Sequence, residues 1–282
     1  MELLPNGKIL AAASIDNRTA MLRLNPDLSL DTSFGSGGFV KASSGISDTT
    51  RVHLAQDAQG RILLGGYRYL HRYLPNGASD TTFGDSGRTN LSSAASHVNG
   101  IGFQGDGDIL VAASYYIAGS VNSHSSSGIW RMDQDGQNPT HIIGGDRTGL
   151  TVWDDGRIIV TDHDFDVQRY TRDAVLEQSY SFNYGRTSST LQLPDNRFLI
   201  VGYDTGDGGY DISVTRHLAS GALDSTFGQS GRTLLPVLEG DDQGYRATLQ
   251  HDGKILIAGY AYAGTEDGYD VAVARLSYDG VP

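Results

Sequence analysis

His251-Asp252-Gly253-Lys254-Ile255-Leu256 is one copy of a phrase that the chain writes six times, a polar turn followed by a β-rich apolar run. The others are Pro5-Asn6-Gly7-Lys8-Ile9-Leu10, Ala58-Gln59-Gly60-Arg61-Ile62-Leu63, Gly105-Asp106-Gly107-Asp108-Ile109-Leu110, Asp154-Asp155-Gly156-Arg157-Ile158-Ile159 and Pro194-Asp195-Asn196-Arg197-Phe198-Leu199. Asn-Gly and Asp-Gly supply the positive φ that a tight hairpin turn demands. Asn196, which stands where the other copies have glycine, is the next most tolerant residue there. Each copy is read as a hairpin tip followed by a strand.

Two further phrases follow each copy. The first is a strand carrying one arginine, as in Ala20-Met21-Leu22-Arg23-Leu24, Ser213-Val214-Thr215-Arg216-His217 and Val271-Ala272-Val273-Ala274-Arg275-Leu276. The second is Asp-Thr-Ser/Thr-Phe-Gly-x-x-Gly, explicit at Asp31 to Gly38, Asp80 to Gly87 and, with Ser225, Asp224 to Gly231. It is decayed around Glu177 to Gly185 and nearly lost around Pro139 to Gly145. A third strand leaves it, and a fourth leads into the next turn.

The glycine-equivalent positions 7, 60, 107, 156, 196 and 253 lie about 49 residues apart on average, the length of four short strands with turns. A four-stranded sheet with two apolar faces cannot bury either alone, and radial stacking covers both. The fold expected is an all-β, six-bladed β-propeller of four-stranded antiparallel blades. It forms one domain over 1–282, with units at 1–50, 51–97, 98–147, 148–187, 188–243 and 244–282. A linear β-solenoid is the alternative, with shorter coils. The sixth unit lacks the Phe-Gly phrase and third strand, so its blade is read as incomplete, as continued by residues beyond this sequence, or as closed by the N-terminal strand at Glu2-Leu3-Leu4.

Composition agrees. Glycine contributes 37 of 282 residues, with only 7 prolines and no three-residue period, which excludes collagen. The net charge of −12 argues against a nucleic-acid partner, which needs a basic surface. With no cysteine, disulfides and thiolate metal sites are ruled out. No run is apolar and long enough to insert in a membrane, and no signal peptide stands in this chain.

Asp252 to Leu256 with Val271 to Leu276, and Leu223 to Gly231, resemble the bacterial delta-60 repeat family, a β-propeller domain of unknown function. The resemblance runs over nearly the whole chain and is poorest in the third and fourth units. It implies bacterial origin and a secreted or cell-surface location, and it brings no catalytic residues.

One arginine per unit, Arg23, Arg72, Arg131, Arg169, Arg216 and Arg275, suggests either an anion-binding ring or a structural device. Alternation puts Arg275 on the face of Val271 and Val273, enclosed between blades, and an enclosed charge needs a partner. Asp31, Asp80 and Asp224 are the natural partners, so a structural role is expected. Phe34, Phe83 and Phe227 read as core plugs.

The loops between first and second strands differ most among units and hold the candidate binding residues. Asp162, Asp164, Asp207, Asp211 and Asp267 are candidate metal ligands, since alternating aspartates and glycines can bind Ca²⁺, although none stands in a full twelve-residue calcium loop and ordinary turn chemistry is the stronger account of them. No other cofactor is expected. Tyr116, Tyr203, Tyr210, Tyr260, Tyr262 and Tyr269, with His163, are candidate ligand-binding residues. Tyrosine beside carboxylate suits a sugar or protein surface, though tyrosine is also favoured in strands. No nucleophile elbow, zinc-binding helix or phosphate loop is present. The reading is a monomeric, non-enzymatic binding module for a glycan or protein. The alternatives are a carbohydrate hydrolase or lyase using loop carboxylates at the channel mouth, and a structural repeat segment of a larger surface protein.

Overall fold

The computed structural model describes residues 2–15, 18–42, 52–91, 97–114, 128–145, 147–162, 167–180, 186–206, 209–238, 240–250, 252–262 and 268–282. Among these, the strands form six antiparallel sheets. Compactness divides the chain into residues 1–156 and 157–282.

In the first unit, the first sheet comprises β1 (Glu2–Leu3), β2 (Ile9–Ile15), β3 (Arg18–Leu24) and β4 (Phe39–Lys41). The second comprises β5 (His53–Gln56), β6 (Ile62–Gly65), β7 (Tyr69–Tyr73) and β8 (Arg88–Asn90). The third comprises β9 (His97–Phe103), β10 (Ile109–Ser114), β11 (Gly128–Met132) and β12 (Thr140–Gly144), and β13 (Arg147–Val152) opens the fourth. The second unit holds the fourth sheet's β14 (Ile158–Asp162), β15 (Val167–Tyr170) and β16 (Leu176–Tyr180). The fifth sheet is β17 (Arg186–Gln192), β18 (Phe198–Thr205), β19 (Tyr210–His217) and β20 (Arg232–Leu235). The sixth is β21 (Asp242–Leu249), β22 (Ile255–Tyr262) and β23 (Tyr269–Leu276).

Strands neighbour in chain order in every sheet. The fold is a six-bladed β-propeller with four-stranded blades, the sixth having three strands. The N-terminal strand belongs to the first sheet. β1 pairs antiparallel with β2, Glu2 opposite Leu10 and Leu3 opposite Ile9, because Pro5-Asn6-Gly7 turns the chain straight back on itself.

Stacking explains why the strands are not simply alternating. In β6, Ile62 and Leu64 pack with Leu10 and Met21 of the first sheet, while Leu63 packs with Val98 and Val111 of the third. Both faces are covered, so a continuous apolar run is required. In the second unit, Leu199, Val201, Ile212 and Val214 of the fifth sheet meet Ile255, Ile257 and Leu276 of the sixth in the same way.

A polar stitch repeats at the joints. Arg72 Nε donates to Asp80 Oδ2 at 2.7 Å, its Nη1 reaches the Gln134 carbonyl in the next sheet, and its guanidinium lies 4.5 Å over the Phe83 ring. Arg23 repeats this with Asp31, the Pro75 carbonyl and Phe34, and Arg216 with Asp224, the Tyr278 carbonyl and Phe227. Arg169 uses Glu177 and the Ala219 carbonyl. Only a planar fork with several fixed donors can serve a carboxylate and a backbone oxygen in two directions, which lysine cannot. Alongside, the Gly35, Gly84 and Gly228 N–H groups donate to the carbonyls of Asn76, Asp135 and Asp279, each at 2.7 Å.

Beneath the stitch sits the aromatic plug. Phe34, Phe83 and Phe227 are fully buried. Phe83 lies under Gly136 so closely that a Cβ there would be 2.5 Å from the ring, and Gly280 stands 2.7 Å from Phe227 in the same sense. Tyr180 fills this role under Gly221. In the unit that follows the decayed Pro139–Gly145 phrase, the equivalent turn residue is Ala174, still at positive φ. Glycine is thus demanded by the plug as well as by the turn.

Two outcomes follow from this packing. Gly136→Ala should cost about 2–4 kcal/mol, from left-handed strain plus overpacking. Gly37→Ala, also at positive φ but with nothing within 4 Å of its Cβ, should cost about 1–2 kcal/mol from strain alone. Urea denaturation of the two variants measures the difference, and equal losses would refute the plug. The Asp31 carboxyl is held well below the usual carboxylate range, chiefly by the Lys8 ammonium and the Ser33 hydroxyl, with Arg23 adding to them. A depressed folded value means this stabilisation is present above the unfolded pKa of about 3.9 and is lost as pH falls through the folded value. The urea midpoint of the parent should therefore drop steeply below about pH 4, and Asp31→Asn should flatten that drop.

Candidate functional site

The tyrosines singled out in the sequence converge in the second unit. Tyr203 on β18 and Tyr210 on β19 meet edge to face with centroids 5.2 Å apart, because the hairpin register sets Thr205 opposite Tyr210 and Tyr203 opposite Ile212. On the sixth sheet Tyr260 meets Tyr269 at 4.5 Å, and Tyr262, directly opposite Tyr269 across β22 and β23, meets it at 5.3 Å. Tyr203 also bears electrostatically on the Tyr260 phenol. Tyr210, Tyr262 and Tyr269 are 38–56% exposed. Tyr116 and His163 lie outside the described residues.

Sequence reading missed a sixth ring. Tyr245, 46% exposed, meets Tyr260 at a tilt with centroids 5.3 Å apart and shares a hydrogen bond with its phenol. Alternation along β21 groups Tyr245 with Ala247 and Leu249, which pack into the core. A β-bulge breaks that count. Gly244 opposes Gly259 and Arg246 opposes Ala258, leaving Tyr245 outside the pairing. Bulges re-aim side chains in this way. The same shift recurs in the first strands of the third and fifth sheets, at Asn99 and Ser188.

Burial first, and then the hydrogen bond with Tyr245, push the Tyr260 phenol well above the ordinary tyrosine range. The Tyr260 phenol is therefore held in its neutral, hydroxyl-bearing form.

Carboxylates flank it. Asp241 Oδ1 accepts the Tyr210 N–H at 3.0 Å. The fully buried Asp242 accepts the N–H groups of Val237 and Leu238 at 2.6 and 3.0 Å, pinning the segment that leads into β21. Asp204 pairs with Arg232. Asp211 is buried and packs directly on Gly206, where a Cβ would stand 1.8 Å from its carboxylate. Asp162 ends β14, and Asp164, Asp207 and Asp267 lie outside the described residues. Among the described residues no three His, Asp or Glu side chains are grouped to hold a metal ion.

The arginines divide. Arg23, Arg72, Arg169 and Arg216 are taken up by the stitch described above, and Arg131 is half-buried on β11. Arg275 departs from the expectation of enclosure. Alternation does place it with Val271 and Val273, but that face of β23 is open, with Val271 86% and Val273 61% exposed. Its unit has no Phe-Gly phrase to supply the aspartate.

A spectrophotometric titration should show the Tyr260 step above the ordinary tyrosine range, alongside the raised steps of Tyr180 and Tyr278. Tyr260→Phe should remove that step, and Tyr245→Phe should move it down towards pH 10. An unchanged titration in both variants would refute the coupling.

Three stretches of the chain, residues 4–34, 193–227 and 250–282, match the model of a β-propeller domain of unknown function, DUF5122. They fall in the first, fifth and sixth units and make up about a third of the chain. No curated protein matches. Among solved structures, a protein of unknown function from Bacteroides caccae is similar, with a TM-score of 0.61 at 14% identity, covering 97% of this chain and 90% of that one. A putative gluconolactonase has a TM-score of 0.52 at 14% identity, covering 98% and 96%. A gluconolactonase from Xanthomonas campestris has a TM-score of 0.51 at 13% identity, covering 91% and 82%. At this identity the likeness is one of fold, and the chain stands among β-propeller proteins.

Proposed function

We propose that the chain is a non-enzymatic binding module of the delta-60 repeat type, displayed outside a bacterial cell, that presents its tyrosine cluster to a glycan. The observation that carries this reading is the convergence of six tyrosine rings, four of them 38–56% exposed, on the fifth and sixth sheets. Tyrosine offers a sugar an apolar ring face and a hydroxyl together, at a low cost in conformational entropy. Asp241 supplies an acceptor for a sugar hydroxyl at the same edge. Rigid strands, rather than loops alone, hold the rings, which limits the ordering cost of binding.

The runner-up, a hydrolase, draws on the fold likeness to gluconolactonases alone. Turnover of a simple aldonolactone would favour it.

A glycan array probed with and without Ca²⁺ tests the binding reading. At least one saturable glycan is expected, and Tyr269→Ala or Tyr262→Ala should weaken it tenfold or more with no change in melting temperature, since both rings are exposed. Dependence on Ca²⁺ would bring Asp211 and its neighbouring loop into the site. Absence of binding to every glycan, with or without the ion, would refute the reading.

A further inference from the structure

The second and fifth sheets are copies of one design, so their positions can be compared residue by residue. β6 and β18 align with Leu64 at Ile200, Gly66 at Gly202 and Arg68 at Asp204. Their fourth strands align with Arg88 at Arg232, each directly after the last glycine of the Phe-Gly phrase. In the fifth sheet Arg232 stands opposite Thr215 and pairs with Asp204. In the second, Arg88 stands opposite His71, and the aspartate's place is taken by another arginine.

Arg88 is thus a cation without the carboxylate that its counterpart has. It is half-buried, its guanidinium lies 4.9 Å over the Tyr69 ring, and among the described residues it forms no ion pair. Asp85, in the turn before it, takes the Ser86 hydroxyl instead. A charge partly withdrawn from water is costly unless an acceptor reaches it. Residues opposite one another share a face of the sheet, as do alternate residues of one strand, so Tyr69, His71 and Tyr73 lie on the side of Arg88. On that side Tyr73 packs with Met21 and Val40 of the first sheet. His71 is 3% exposed, and its Nε2 is buried with no hydrogen-bond partner. Burial, and then Arg88, pull its imidazole down to about 4, so it is neutral at physiological pH. Next in the chain to Tyr69, Arg68 is held at a φ of 62°, its guanidinium 4.8 Å over the Tyr67 ring, which meets His97 edge to face at 5.2 Å. Arginine in a conformation that glycine favours is local strain of the kind kept at ligand sites.

We propose that Arg88 anchors a carboxylate-binding site on the second sheet, in which a small acidic ligand supplies the carboxylate that Asp204 supplies in the fifth. The molecule itself defines this chemistry, because the arginine at the head of β20 takes a carboxylate from its own sheet. A guanidinium offers a planar fork of donors that matches the two oxygens of a carboxylate, and contact with Tyr69 fixes the plane of that fork. With its proton on Nε2, His71 would donate to the ligand from behind Arg88. Arg68 adds a second positive charge beside the first, which draws an anion to this one place on a chain whose net charge is −12. The inference is independent of the glycan reading, because it uses none of the tyrosines of the fifth and sixth sheets.

The test uses the full chain, with sodium acetate and sodium D-glucuronate as carboxylates and neutral D-glucose and sodium sulfate as controls. NMR of histidine-labelled protein should show a saturable shift of the His71 ring signals with a carboxylate and none with glucose. Arg88→Gln should weaken binding by about tenfold or more, since it removes hydrogen bonds to a charged group. Arg88→Lys should not restore it, because a point charge lacks the fork. Arg68→Asp places a carboxylate of the protein's own beside Tyr69 and should abolish binding, whereas Arg68→Asn, which tolerates the same positive φ, should retain it. An unchanged circular dichroism spectrum shows that each variant is folded. No shift of His71 with either carboxylate would overturn the proposal, as would an equal response to sulfate or binding undiminished in Arg88→Gln.

Discussion

The arginine fork is the interaction on which the architecture depends. Each fork spends one donor on an acid eight residues away in its own sheet and another on a turn carbonyl fifty or more residues away in the next. A buried charge of this kind is costly unless every donor is placed. That cost makes the joint specific, because sheets that slide or tilt leave a guanidinium unsatisfied. Apolar packing supplies the drive to stack, and it is nearly indifferent to small displacements. The polar stitch and the aromatic plug beneath it convert stacking into one geometry.

The same joint explains the repeat's apparent irregularities. Where the plug is Phe or Tyr, the facing turn residue is glycine, as at Gly77, Gly136, Gly221 and Gly280. Ala174 follows the unit whose phrase is nearly lost. Arg169 takes glutamate instead of aspartate and still reaches its carbonyl. The joint is conserved as a geometry within the molecule even where its residues drift.

Function is borne at the opposite extreme of constraint. The tyrosines stand at strand ends and on one bulge, past the point where stacking dictates the side chain. Rigid registers beneath them set ring next to ring, so the cluster needs no loop of its own.

Much of this was legible in the residues alone. Recurring Asn-Gly and Asp-Gly turns with apolar runs about 49 residues apart specify four-stranded units, because turn chemistry and strand alternation are local. The pairs were legible too, since an enclosed arginine needs a partner and the Phe-Gly phrase that follows it opens with an aspartate. The carbonyl that each fork reaches, the bulge that lifts Tyr245 out of its strand's alternation, and the exposure of Arg275 were decided by the tertiary structure. Each depends on which sheet lies alongside and in what register. That is settled by packing between residues far apart in the chain, where no local pattern can record it.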